Sequence, residues 1–158
     1  MNVESIMHVA FNTDQMDELI TFYTKKMGFR LKTVVRYGIY LDRDDRPAFQ
    51  AIAKEDPDRI FNAYIEVCDR QFLELFPKTP GQGEHIGFNT NLGYSHFALV
   101  VDDIHETRKE LEERGVVFDT NISKGPSETY QMWLHDPDGN KFEIMQFTEN
   151  SIQLKGNI

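Results

Sequence analysis

The sequence predicts an α+β fold of two tandem βαβββ modules, and three observations predict it. A strand, a helix and a stopping glycine occur in that order twice. Each copy then ends in an apolar strand that carries a single glutamate. Between the copies lies a stretch punctuated by Pro80, Gly81, Gly83 and Gly87, the composition of a linker. Fixed-period self-similarity of this kind is the mark of a duplicated unit.

The first copy opens with Ser5-Ile6-Met7-His8-Val9-Ala10-Phe11, a short apolar run with one histidine. Met16, Leu19, Ile20, Tyr23 and Met27 follow at helical spacing, and Gly28 is a C-terminal stop. Alternation then returns in Phe29-Arg30-Leu31-Lys32-Thr33-Val34-Val35. The second copy opens with Tyr94-Ser95-His96-Phe97-Ala98-Leu99-Val100-Val101. Asp102 or Asp103 can cap its helix, with Glu106 placed for a capping box. That helix stops at Gly115 and gives way to a strand over Val116-Val117-Phe118. Histidine precedes glycine by 20 residues in one copy (His8, Gly28) and by 19 in the other (His96, Gly115). The closing strands are Gln71-Phe72-Leu73-Glu74-Leu75-Phe76 and Lys141-Phe142-Glu143-Ile144-Met145-Gln146-Phe147, the latter after the strong turn signal Asp136-Pro137-Asp138-Gly139-Asn140.

Histidine to glutamate spans 66 residues from His8 to Glu74 but 47 from His96 to Glu143. The polar stretch 42–59 accounts for the excess as an insertion between strands. The first module is thus 4–79 and the second 92–149, joined into one domain, with a polar, peripheral tail after Glu149.

At 158 residues the chain can bury a real core, and 40% hydrophobic with 27% charged residues is an ordinary globular composition. A net charge of −9 argues against nucleic acid or an anionic membrane as a partner. Cys68 is the single cysteine, so no internal disulfide asks for an oxidising compartment, and no segment reaches the ~20 apolar residues of a membrane span. The expectation is a cytoplasmic protein with a small-molecule substrate.

Alternation along a strand gives the repeat chemical meaning. His8 shares a face with Ile6 and Ala10, and His96 with Tyr94, Ala98 and Val100; Glu74 lies with Phe72 and Phe76, and Glu143 with Met145 and Phe147. All four are expected in apolar company, where an unpaired carboxylate would cost several kcal/mol or take up a proton. Two carboxylates matched by two histidines call for a shared divalent cation. Imidazole and carboxylate suit zinc, nickel, cobalt, manganese or ferrous iron. Glu66 is the rival of Glu74 as the first-module ligand; Glu74 is preferred because it occupies the last strand, as Glu143 does.

Met7-His8-Val9-Ala10-Phe11, Tyr94-Ser95-His96-Phe97-Ala98-Leu99-Val100 and Asp136-Pro137-Asp138-Gly139-Asn140-Lys141-Phe142-Glu143 resemble the vicinal oxygen chelate superfamily, over about residues 4 to 149. That superfamily holds glyoxalase I, methylmalonyl-CoA epimerase, extradiol dioxygenases, and fosfomycin- and bleomycin-resistance proteins. The resemblance implies a cup-shaped, barrel-like mixed sheet around the metal. A set of His8, Glu74, His96 and Glu143 is most similar to bacterial glyoxalase I, with an octahedral ion, usually nickel or zinc, completed by two waters. It implies a lyase or isomerase acting on a 2-oxoaldehyde–thiol adduct or a similar vicinal-oxygen substrate, by proton abstraction and enediolate stabilisation. Glu143 and Glu74 are the implied base and acid, in either order. A ferrous extradiol dioxygenase is the alternative enzyme, which a fourth ligand at Glu74 speaks against. A metal-free drug-binding protein of the bleomycin-resistance type is the alternative without chemistry. Arg30 and Arg36 are candidates for holding a substrate anion. Tyr130 and Trp133, with Tyr37, Tyr40 and His135, are candidates for a pocket lining; His85 and His105 are expected to be exposed and idle. Family members of this size imply a homodimer with sites built from both chains.

Overall fold

In the computed structural model, which describes residues 1–156 and 158, the duplicated sequence becomes one topology made twice. The chain divides into two compact units, Met1–Gln82 and Gly83–Ile158. In the first, β1 (His8–Thr13) leads to α1 (Met16–Thr21), which continues as a π-helical turn over Phe22–Lys26. Next come β2 (Arg30–Arg36), a 3₁₀ turn over Tyr37–Tyr40, α2 (Pro47–Glu55), β3 (Ile60–Cys68) and β4 (Gln71–Pro77). The second unit contains β5 (Phe97–Val100), α3 (Ile104–Glu113), β6 (Ser123–Lys124), β7 (Tyr130–His135), β8 (Lys141–Gln146) and α4 (Ile152–Lys155). Strand order is β1-β4-β3-β2 in one sheet and β5-β8-β7-β6 in the other. The first and last strands of each unit are parallel neighbours, and the other pairs are antiparallel. The α+β class and doubled module are as expected; neither sheet closes on itself.

Local chemistry explains the boundaries. Gly28 and Gly115 end the two long helices with φ of 80° and 76°, a conformation that costs glycine little. Asp103, not Asp102, caps α3, its carboxylate accepting from the amides of His105 and Glu106 at 2.8 and 2.9 Å. One face of each sheet forms the core. Leu73, Leu75, Ala63 and Ile65 are buried in the first unit, as are Leu19 and Tyr23; Phe142, Ile144, Met132 and Leu134 are buried in the second, as are Ile104 and Leu111.

Four expectations need correction. The opening strands begin later than read, at His8 and Phe97. Val116–Phe118 forms no strand, only an isolated bridge from Phe118 to Leu134. Thr120 explains the interruption: its hydroxyl accepts from the Trp133 amide at 3.0 Å, so a side chain takes the bond a neighbouring strand would have made. The insertion, read from sequence only as a polar stretch between strands, carries a helix: Pro47 in the first turn starts α2 within it. Finally, the tail is anchored: Ser151 is fully buried against Thr129, and the Ile152 amide bonds the Ser127 carbonyl at 3.0 Å. Among the described residues no helix is long and apolar enough to cross a membrane.

Candidate functional site

The parallel pairing of first and last strands brings each histidine to its glutamate. Ala10 lies opposite Glu74, and Ala98 opposite Glu143, so each histidine stands two residues before the partner of its glutamate, on the same face. The short alanine side chain leaves room for the carboxylate to lean across to the imidazole. His8 Nε2 is 3.3 Å from Glu74 Oε2, and His96 Nε2 is 3.4 Å from Glu143 Oε2. Within either unit the grouping stops at two, since among the described residues no three His, Cys, Asp or Glu side chains gather as a metal site.

Burial is divided unevenly within each pair. Glu74 and Glu143 are 6% and 8% exposed, whereas the His8 and His96 side chains are 39% and 31% exposed. The expected apolar company of the histidines is corrected accordingly: Ile6, Ala10, Tyr94, Ala98 and Val100 are all exposed. The reason is that helices cover the opposite face of each sheet, and the histidine face is the open one.

The spacing tests whether the residues fit a divalent ion. A direct charge-assisted hydrogen bond would draw nitrogen and oxygen to about 2.7–2.9 Å. Two neighbouring donors at about 2.1 Å from one ion stand about 3.0 Å apart at a right angle and about 3.4 Å apart at a tetrahedral one. Both pairs match the second spacing. Neutral imidazole and carboxylate are also the donors that zinc, nickel, cobalt, manganese and ferrous iron share. Each pair, taken by itself, fits two donors of such an ion.

The pairs are supported differently. Asn62, buried on β3, donates through Nδ2 to Glu74 Oε1 at 2.5 Å, while its Oδ1 has no partner. Tyr64 stands directly opposite Glu74, and its phenol is pushed above the ordinary value, first by its hydrogen bond to that carboxylate, then by burial. Among the described residues, Glu143 has one polar neighbour, His96. Here it is the imidazole that is held. Ser95 Oγ lies 3.0 Å from His96 Nδ1 and donates to Asn89 Oδ1 at 2.7 Å, so Ser95 is left to accept from Nδ1–H and Nε2 is left with its lone pair. The Trp133 and Phe88 rings pack on His96 at 4.6 and 6.1 Å. A cavity of about 310 Å³ opens beside it, lined in part by Phe88, Asn89, Tyr94, Ser95 and Lys141.

Other candidates fall elsewhere. Trp133 lies opposite Glu143, but Tyr130 is out of phase with Glu143 and pairs with Gln146, on the face of Met132 and Leu134. Arg30 Nε donates to Glu66 at 2.8 Å and Lys32 approaches the same carboxylate at 3.2 Å, so Glu66, the rival ligand, is occupied at the β2 edge. Arg36 bonds the Asp58 carbonyl at 2.5 Å and ties down the end of the insertion. Tyr37 and Tyr40 pack with Phe49 and Phe61 against each other, stabilising α2. His135 and His85 bond Asp119 and Asn140 at 2.8 and 2.9 Å, and His105 is exposed. Asn62, Tyr64, Ser95 and Phe88 escaped the sequence reading; only pairing register and the folding of the linker onto the second unit reveal them.

A family model for the Glyoxalase/Bleomycin resistance protein/Dioxygenase superfamily matches residues 5–144. The chain belongs to this superfamily. Its relatives include a probable lactoylglutathione lyase of Vibrio parahaemolyticus, 26% identical over 153 residues and covering 96% of each chain. A probable chloroplastic lactoylglutathione lyase of Arabidopsis thaliana is 24% identical over 146 residues, covering 89% of this chain and 35% of its own length; the chain thus spans about a third of that relative. Among solved structures, a glyoxalase family protein of Enterococcus faecalis superposes with a TM-score of 0.65 at 22% identity, covering 90% of this chain and 97% of that one, a likeness of fold.

Proposed function

We propose that the chain is a divalent-metal-dependent lyase or isomerase of glyoxalase I type, acting on a small vicinal-oxygen compound such as a 2-oxoaldehyde–thiol adduct. The observation that supports this reading is the repeated spacing: two imidazole–carboxylate pairs at 3.3 and 3.4 Å, longer than a typical charge-assisted hydrogen bond and near the separation of donors sharing an ion. The two units act as one functional domain, and their pairs together supply four donors, within one chain or across a homodimer in the cytoplasm. The relatives' names support the substrate class, and the cavity beside His96 offers room for a small molecule.

When bound, the ion would polarise the adjacent oxygens of the substrate and lower the cost of removing the neighbouring proton. His8, Glu74 and His96 would hold it, with Glu143 as the fourth donor. Glu143 would take the proton and return it at the adjacent carbon, because its carboxylate lacks the hydrogen bonds that restrain Glu74. Trp133 stands opposite Glu143 on the neighbouring strand and packs on His96.

The test is elemental analysis of the purified protein, then assay with methylglyoxal and a panel of thiols after addition of nickel, cobalt, zinc or manganese. Ion-dependent turnover is the expected result. A protein that takes up no ion and turns over no adduct overturns the reading and leaves a sequestering protein in its place.

A further inference from the structure

The duplication supplies its own control for judging which residues around the two glutamates matter. Pairing places Tyr64 opposite Glu74 and Trp133 opposite Glu143. Two residues earlier on the same faces stand Asn62 in the first unit and Gln131 in the second. These equivalent positions do different things. Asn62 donates a hydrogen bond to Glu74, and Tyr64 stands directly opposite it on the neighbouring strand. Gln131 turns its amide toward Gly125, where its Oε1 would stand 2.8 Å from a Cβ at that glycine, and Trp133 spends its ring on His96.

The half-sites are therefore built in opposite senses. One adds a hydrogen bond to its carboxylate; the other adds one to its imidazole and leaves its carboxylate with that imidazole as its polar neighbour. The Asn62 amide is an expensive way to do this. Its Oδ1 is buried without a hydrogen-bond partner, which is unfavourable, so stability alone does not explain an asparagine here. What it does achieve is to occupy Oε1 of Glu74 and leave Oε2 presented to His8.

We propose that Asn62 and Tyr64 are positioning residues that hold Glu74 as a fixed, one-oxygen ligand, so that of the two glutamates only Glu143 can swing. This rests on the metal reading above. Outer partners of this kind typically change metal affinity 10- to 100-fold when removed.

The experiment titrates cobalt(II) into the ion-free protein at one pH, reading dissociation constant and visible d–d spectrum. Asn62→Ala is expected to bind cobalt about 10- to 100-fold more weakly, with an altered spectrum as Glu74 changes its mode of attachment. Tyr64→Phe, which keeps the ring packing and removes only the hydroxyl, is expected to move both quantities the same way; it carries the test alone if Asn62→Ala does not fold. Gln131→Ala, at the matching place in the second unit, is expected to leave both at the wild-type value. A merely structural role would lower the melting temperature and leave the cobalt spectrum of the folded protein unchanged. Wild-type affinity and spectrum in a folded Asn62→Ala or Tyr64→Phe variant would overturn the clamp alone. A wild-type protein that binds no cobalt overturns the metal reading and the clamp with it.

Discussion

Ion binding should stabilise this protein by an amount that can be worked out beforehand. Each unit keeps a carboxylate more than nine-tenths buried, with an imidazole nitrogen 3.3 or 3.4 Å away. A cation that binds only the folded chain at a free concentration 100 times its dissociation constant stabilises by about 2.7 kcal/mol. With about 2.1 cal/mol/K of unfolding entropy per residue, 158 residues give roughly 0.33 kcal/mol/K, so the melting temperature should rise by about 8 °C. Scanning calorimetry with nickel, cobalt, zinc or manganese reads the shift, and elemental analysis should find one ion per chain. On the proposed reading, in which both pairs serve one ion, His8→Ala and His96→Ala should each abolish most of the shift. Two ions per chain, with each variant losing only one of them, would refute the shared site. No shift with any of the four metals would refute the metal altogether.

Replacing Glu143, the proposed base, with glutamine keeps its shape and should cut kcat by about 10²- to 10⁴-fold with the fold intact by circular dichroism. Ala98→Leu fills the gap through which Glu143 leans toward His96; ion affinity measured by chelator competition should fall, whereas stability should move by no more than about 0.5 kcal/mol, because Ala98 is exposed. Phe142→Ala empties a fully buried position stacked on Phe97 at 4.8 Å and should cost about 3–5 kcal/mol in urea denaturation. Glu66 is held below its ordinary pKa, first by its hydrogen bond from Arg30 and next by Lys32. A depressed carboxylate adds stability above its unfolded pKa of about 4.3 and loses it as pH falls through the folded value, so Glu66→Gln should flatten the acid limb of the stability curve.

Much of the fold could be read from residues alone because duplication doubles every signal. A histidine in a strand is unremarkable once; His8 and His96, each followed by a helix, a glycine and a glutamate-bearing strand, are not independent accidents. Gly28 and Gly115 marked helix ends because their positive φ excludes most other residues, a local constraint visible without tertiary context. The segment after Gly115 misled because apolar residues there imply a strand only if backbone partners are free, and Thr120 takes one of them.

The surroundings of the glutamates were hidden by register. The tight turn after Cys68 pairs it with Gln71, and counting back from there would set Ile65 opposite Glu74. A bulge between Glu66 and Cys68 shifts the ladder by one residue and puts Tyr64 there instead, with Asn62 beside it. The amino-acid order by itself determined the two modules and the placing of Glu74 and Glu143 on their closing strands, since both follow from short-range periodicity and residue chemistry. Tertiary structure decided which carboxylate is tethered and which is loose, because hydrogen-bond partners across a sheet depend on a one-residue offset that no local pattern records.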